Sequence, residues 1–221
     1  MELIKQRSLE WHELRLGKFT ASTIYKIMGT RAILSGKDGT ELEHWSEGAQ
    51  TFILEKVSES FGVFQEEAYS KAMDWGIENE SYAKRHYEKA YGVELQDREF
   101  IMAQFCKHAG MSPDSYIIGQ NKGVEFKCPY NPANHIRYML IKNSAELLKA
   151  SKQYYYQVQM CMLVSGFKKW DFVTYDPRYE NESGMMMYAV EIQRNDEECE
   201  IMKDRILKCV DIVNKIVESL K

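Results

Sequence analysis

Residues 110–130, GMSPDSYIIGQNKGVEFKCPY, constrain this chain more than any other stretch. Asp114 follows a Ser-Pro pair, a polar turn runs from Gly119 to Gly123, and a short strand then carries Glu125 and Lys127. Side chains on a strand alternate between its faces, so Glu125 and Lys127 share one face and Phe126 takes the other. If Asp114 opens the partner strand of a hairpin closed by the turn, its carboxylate meets that of Glu125. Two carboxylates and an ammonium gathered at a strand end suit a hard divalent cation with a water to activate. A Glu-x-Lys pair alone is more often a solvated hairpin face, so the ordered set, Pro-Asp and then Glu-x-Lys, carries the argument.

A net charge of −4 does not suggest a partner as acidic as nucleic acid, but its distribution does. Residues 1–32 carry 6 basic against 3 acidic side chains and residues 101–160 carry 7 against 3. Acidic residues outnumber basic ones by 15 to 7 over 33–100 and by 12 to 9 over 161–221. Only the phosphates actually touched need neutralising, so a basic lining inside an acidic exterior is compatible with binding DNA. No apolar run approaches the ~20 residues that span a bilayer. The N-terminus, MELIKQRSLEW, has no apolar core of a signal peptide, so a cytoplasmic protein is expected. Cys106, Cys128, Cys161, Cys199 and Cys209 are odd in number and scattered, which supports neither a disulfide framework nor a zinc site. The histidines show no ligand spacing either. A length of 221 residues fits a single domain spanning 1–221.

Periodicity supplies the rest of the framework. Residues 8–17 read as a short helix capped by Ser8 and ended by Gly17, and a second helix is expected from Thr20 or Ser22 to Gly29. Residues 30–41 are a polar loop. Helical spacing recurs over 43–61 and over 70–91, where Met73, Ile77, Tyr82, Ala83 and Tyr87 are the candidate core positions. Gly76, in the middle of that helix, suggests close approach by a neighbour. Strands are expected at 94–101, 109–114 and 123–127, the last two forming the site hairpin. A short helix follows at 135–142, then a longer one over 145–165 with a kink near its middle. Two strands, 170–175 and 186–193, flank a polar loop. Asn195, with Glu198 three residues on, opens a final packing helix whose stripe is Ile201, Ile206, Val210, Val213 and Val217. Helices alternating with strands in this way make an α/β protein, a central mixed sheet flanked by helices.

Five blocks occur in order: LEWHELRLGKFTAS, DWGIENE, the Pro-Asp and Glu-x-Lys-Cys-Pro set, YYYQVQM and YDPR. Over residues 8–194 the chain resembles the phage lambda exonuclease and YqaJ-type viral recombinase family of PD-(D/E)XK nucleases. The resemblance implies the restriction-endonuclease-like fold and a metal-dependent 5′→3′ exonuclease that leaves 3′ single-stranded overhangs on linear duplex DNA. It implies Asp114, Glu125 and the backbone carbonyl of Phe126 as ligands for Mg²⁺, with Mn²⁺ as a substitute. Glu80, selected by WGxxxE over Glu78, would bind a second metal or hold its water shell. Lys127 would orient or deprotonate the attacking water, and Gln157, selected by YxxQ over Gln159, would position that water or the lysine. Arg15, Ser22 and Ser112 match the family's 5′-phosphate pocket; a surface salt bridge is the plain alternative for Arg15, and spacing alone favours a helix cap for Ser22. Met73 falls where the family places an apolar strand wedge, with a core methionine as the plain alternative. A homotrimeric ring around the DNA and a single-strand annealing protein as partner are implied as well. The alternatives are a structure- or site-specific endonuclease on the same fold and a non-catalytic DNA-binding module.

Overall fold

The computed structural model describes residues 8–29, 40–64 and 70–221. Most of the expected loop at 30–41 lies outside the described residues. The first helix, α1 (Leu9–Arg15), is capped by Ser8, whose hydroxyl accepts from the Trp11 amide, and Gly17 takes the left-handed conformation just beyond it. The expected helix from Thr20 is instead a two-residue strand, β1 (Phe19–Thr20), and a single 3₁₀ turn over Ile24–Ile27. Thr20 is drawn into a parallel pair with Gly110, and that pairing overrides the local capping signal.

Two long helices follow, α2 (Glu47–Ser60) and α3 (Lys71–Tyr91), the latter capped by Ser70. On α3 the expected core positions divide. Ala83 and Tyr87 are buried, whereas Met73, Ile77 and Tyr82 are exposed. The inward face is narrower than apolarity alone suggested, and it includes the buried Asn79. Among the described residues nothing lies within 4 Å of a Cβ placed on Gly76, so none of them requires that glycine.

Five strands, not three, occupy 95–127: β2 (Leu95–Gln96), β3 (Ile101–Ala103), β4 (Cys106–Met111), β5 (Ser115–Ile117) and β6 (Lys122–Lys127). They fall into two sheets, β1-β4-β3 and a larger one that begins β2-β5-β6. The strand expected at 109–114 thus ends at Met111, and the site hairpin is β5–β6, with Asp114 immediately before it. Ser112-Pro113 makes the break, since proline has no N–H to continue a ladder. Gly110 is needed where the two halves meet: an added Cβ would lie 2.6 Å from the Ile101 carbonyl oxygen and 2.4 Å from the Phe100 ring.

From β6 the chain passes through α4 (Pro132–Met139), α5 (Ser144–Ala150) and α6 (Lys152–Ser165) before returning as β7 (Lys169–Tyr175), parallel to β6. The expected kink is a full interruption. Ser151 is extended, and its hydroxyl caps α6 by accepting from the Tyr154 amide, which explains why a serine rather than a proline breaks the helix here. The larger sheet closes with β8 (Met187–Gln193), antiparallel to β7, and α7 (Asp196–Ser219) starts at Asn195 as its capping pattern predicts.

The sheet separates two apolar clusters. Trp170, Phe172 and the buried residues of α2, α6 and α7 fill one, while Ala83 and Tyr87 of α3 pack on Val124, Phe126, Val173 and Tyr175 in the other. Gly123 lies opposite Trp170 in the parallel ladder, with an added Cβ only 2.3 Å from the indole. At that end of the strands Lys122 pairs with Asp171 at 2.8 Å and with Glu191 at 2.9 Å, and Lys169 pairs with Glu191 at 2.9 Å. All five cysteines are free. Among the described residues no helix is long and apolar enough to cross a membrane.

Candidate active site

The opposite end of β6 gathers the proposed machinery. Strand alternation sends Val124 and Phe126 into the cluster under α3 and turns Glu125 and Lys127 towards α6. Glu125 is buried, and both Lys127 Nζ, at 2.5 Å, and Gln157 Nε2, at 2.6 Å, donate to its Oε1. Lys127 also reaches Gln157 Oε1 at 3.5 Å. Gln159, on another side of α6, bonds the Gln193 carbonyl and the Asn195 amide. Asp114 sits one residue beyond the β5 ladder, and its Oδ2 accepts from the Phe126 amide at 2.7 Å. The carboxylate therefore takes the ladder bond that β5 no longer provides, which fixes it beside Glu125.

Burial is the main cause that raises the Asp114 carboxyl above its usual range, reinforced by the negative charges of Glu125 and Glu80. Glu125 is raised for the same first reason, although Lys127 and Gln157 oppose the shift. Burial alone would lower the Lys127 ammonium, but the charges of Glu125 and Asp114 and the nearby Tyr154 outweigh it and leave it raised. Lys127 is thus a firmly held cation. Its ammonium lies 4.5 Å from the centroid of the Tyr154 ring, a contact of about 0.5–2 kcal/mol in a desolvated setting.

The donor set fits a hard divalent ion. Glu125 Oε2 is buried and has no hydrogen-bond partner among the described residues, a costly state for a carboxylate oxygen unless something positive meets it. Among the described residues no three acid, imidazole or thiol side chains converge on one point. Two carboxylates, a backbone carbonyl and water would be the coordination, which is the manner in which Mg²⁺ is commonly held. Glu80 is near enough to raise both carboxyl groups and pairs with Lys84 at 3.1 Å; Glu78 faces solvent.

A second cluster forms two residues before Asp114. The Arg15 guanidinium donates to Ser22 Oγ at 3.0 Å, Thr20 Oγ1 at 3.2 Å and Ser112 Oγ at 3.4 Å. It stacks over the Trp11 ring at 4.1 Å, and Trp11 Nε1 donates to Ser112 Oγ at 2.9 Å. Arg15, Ser22 and Ser112 therefore meet although 97 residues separate the first from the last. The parallel pairing of β1 with β4 brings them together. Ser22 caps nothing here. Trp11 and Thr20 are members that sequence reasoning missed, although Trp11 is one helical turn from Arg15 and so shares its face. Met73 stays apart, 37% exposed on the first turn of α3, which removes the core reading for it.

YDPR has a local role. Asp176 is fully buried and receives Arg178 Nε at 2.7 Å and NH2 at 2.6 Å, while the same guanidinium donates to the Pro129 and Tyr130 carbonyls at 3.2 Å each. It also lies 4.6 Å over the Trp75 ring. The chain just beyond Lys127 is thereby tied to the end of β7 and to α3.

A family model of the YqaJ-like viral recombinase domain matches residues 10–168. The chain belongs to that family. Among curated proteins none matches the sequence. The fold is shared with an alkaline exonuclease from Laribacter hongkongensis, at a TM-score of 0.77 and 24% identity over 96% of each chain. The same enzyme in complex with dAMP matches at 0.77 and 25% identity, covering 97% of this chain and 96% of that one. A phage-related exonuclease from Haemophilus somnus 129PT aligns at 0.73 and 18% identity over 92% of this chain and 96% of its own. The mixed sheet flanked by helices is the restriction-endonuclease-like architecture expected from the sequence.

Proposed function

We propose that this recombinase-family chain is a magnesium-dependent 5′→3′ exonuclease that degrades one strand of linear duplex DNA and leaves 3′ overhangs. The observation that carries the reading is the buried oxygen of Glu125 beside Asp114, without a partner among the described residues, with the Lys127 ammonium on the other oxygen of the same carboxylate. Hydrolysis forms a bond from water oxygen to phosphorus and breaks the bond from phosphorus to the 3′-oxygen, which leaves with a proton. A bound divalent ion supplies Lewis acidity and a water of lowered pKa. Asp114, Glu125 and the Phe126 carbonyl would hold it, Mn²⁺ serving as a substitute, with Glu80 ordering its water.

Lys127 shares the Glu125 carboxylate, its Nζ lying 2.5 Å from Oε1. Its role is to orient the water and to stabilise charge on the phosphate oxygens. Gln157 fixes the bridge from Glu125 to Lys127, and Tyr154 backs the ammonium. Arg15, with Ser22, Thr20 and Ser112, suits a terminal 5′-phosphate, because a guanidinium grips phosphate bidentately. Each cleavage leaves a new 5′-phosphate, so that pocket would be refilled at every step. The product is a 5′-mononucleotide, the class of molecule to which dAMP, present in the structure of the Laribacter hongkongensis relative, belongs. Met73, exposed on α3, is available to part the terminal base pairs. A homotrimeric ring, a single-strand annealing partner and a site of action in the host cytoplasm complete the proposal.

Labelled linear and covalently closed circular duplexes, incubated with and without Mg²⁺, test it. Release of 5′-mononucleotides from the linear substrate alone, only with the ion, is expected. Cutting of the closed circle would mean an endonuclease, and inertness towards both would end the nuclease reading.

A further inference from the structure

One cation near the acid pair has no place in that mechanism. Lys84 lies one helical turn after Glu80 on α3, and its ammonium bonds Glu80 Oε1 at 3.1 Å, Asp97 Oδ1 at 2.9 Å and the Asp114 carbonyl at 3.0 Å. Its side chain is only 19% exposed. Ser115 Oγ donates to the same Asp97 oxygen at 2.9 Å, so the contact is braced from the strand side as well. Asp97, Asp114, Glu80 and Glu125 thus face two ammonium groups, Lys84 and Lys127. The fully ionised cluster carries two uncompensated negative charges, the charge of one divalent ion.

From this we propose that Lys84 sets the cation affinity of the site, as a fixed internal counter-charge that competes electrostatically with the ion. The inference rests on the nuclease reading above and deepens it. Like charges repel strongly where solvent is scarce, so an ion approaching Asp114 and Glu125 is opposed by an ammonium held in place by Glu80, Asp97 and the Asp114 carbonyl. Lys127 cannot be dispensed with for this purpose, since it faces the reacting phosphate. Lys84 meets the pair through Glu80 and the Asp114 backbone, not through the carboxylates assigned to the ion.

Calorimetric titration with MgCl₂, and separately MnCl₂, at pH 8 and without DNA, compares wild type, Lys84→Met and Lys84→Arg. Methionine keeps the length of the side chain and removes its charge, so its Kd should fall at least fivefold, whereas arginine should remain within twofold of wild type. In EDTA the methionine variant should melt below wild type and regain more of its Tm when the ion is added. If Lys84 is only a strut for Glu80 and the Asp114 carbonyl, methionine will weaken binding, and that result, or an unchanged Kd, overturns the proposal. Wild type that releases no mononucleotides from linear duplex with either ion would instead overturn the nuclease reading itself.

Discussion

Arg178→Met tests whether YDPR is the clamp that holds the chain beyond Lys127. Arg178 meets a carboxylate with no exposure to solvent through two bonds of 2.6 and 2.7 Å, and Asp176 keeps only its bond from the Arg178 amide once the guanidinium is gone. Breaking a buried pair from one side costs about 3–5 kcal/mol because the remaining charge is stranded. The arginine side chain is 39% exposed, so solvent screens part of that. Losing the two carbonyl bonds and the Trp75 stack restores some of the cost. A destabilisation of about 2–3 kcal/mol is therefore expected. Asp176→Asn, which can still cap the turn and accept from arginine, should lose about 1–2 kcal/mol. Because the double variant strands no charge, it should lose about 2–3 kcal/mol, less than the separate losses combined, a coupling of about 1–2 kcal/mol. Urea unfolding of all four proteins at pH 7.5 and one protein concentration, followed by tryptophan fluorescence and circular dichroism, measures the cycle. A loss below about 1 kcal/mol for Arg178→Met, or strict additivity, would show that the pair does not carry the clamp.

Lys127→Ala should lower the cleavage rate by about 10²–10³ or more while duplex affinity stays within a few-fold, since it removes stabilisation of transition-state charge; normal turnover would refute its role. Arg15→Ala should abolish the preference for 5′-phosphorylated over 5′-hydroxyl ends, and a wild type that digests both ends equally would remove the phosphate pocket. Gly123→Ala, which drives a methyl into the Trp170 ring, should cost about 1–3 kcal/mol in the same urea assay, and an unaltered midpoint would mean that the ladder relaxes freely. Glu191 is lowered from its usual 4.5 to about 2, first by the Lys169 hydrogen bond and then by Lys122. A depressed carboxylate stabilises the fold above its unfolded pKa and loses that contribution as pH falls through the folded one. Glu191→Gln should therefore flatten the fall in Tm between pH 4.5 and 2, and superimposable acid profiles would contradict this.

Local rules made legible only what local physics settles. Period-two alternation put Glu125 and Lys127 on one face because β6 is regular from Lys122 to Lys127. The Asn195 cap is equally local, a side chain meeting an amide three residues on. The choice of Gln157 over Gln159 came from the family pattern, and the helix then places Gln157 against Glu125 and Gln159 away from it. The division of 106–117 into strands of two different sheets was not legible, because it depends on where β1 docks. That docking also turned Thr20 from an expected cap into a strand residue.

Lys84 shows the same limit. In sequence it is one more charge on a helix already carrying several, and a solvated Glu-Lys pair four residues apart is the ordinary reading. Its second partner, Asp97, comes from the segment after β2, and its third is a backbone carbonyl that no side-chain pattern reports. Sequence motifs select the groups that touch substrate, because chemistry restricts their identity. The charge balance around those groups is set by residues whose identity is free so long as the sum is right, and it is visible only after folding has assembled them. Here Lys84 arrives with Asp97, so the sum read from the motifs is unchanged, but the positive charge is placed on α3, against Glu80 and the Asp114 carbonyl, where no motif reports it.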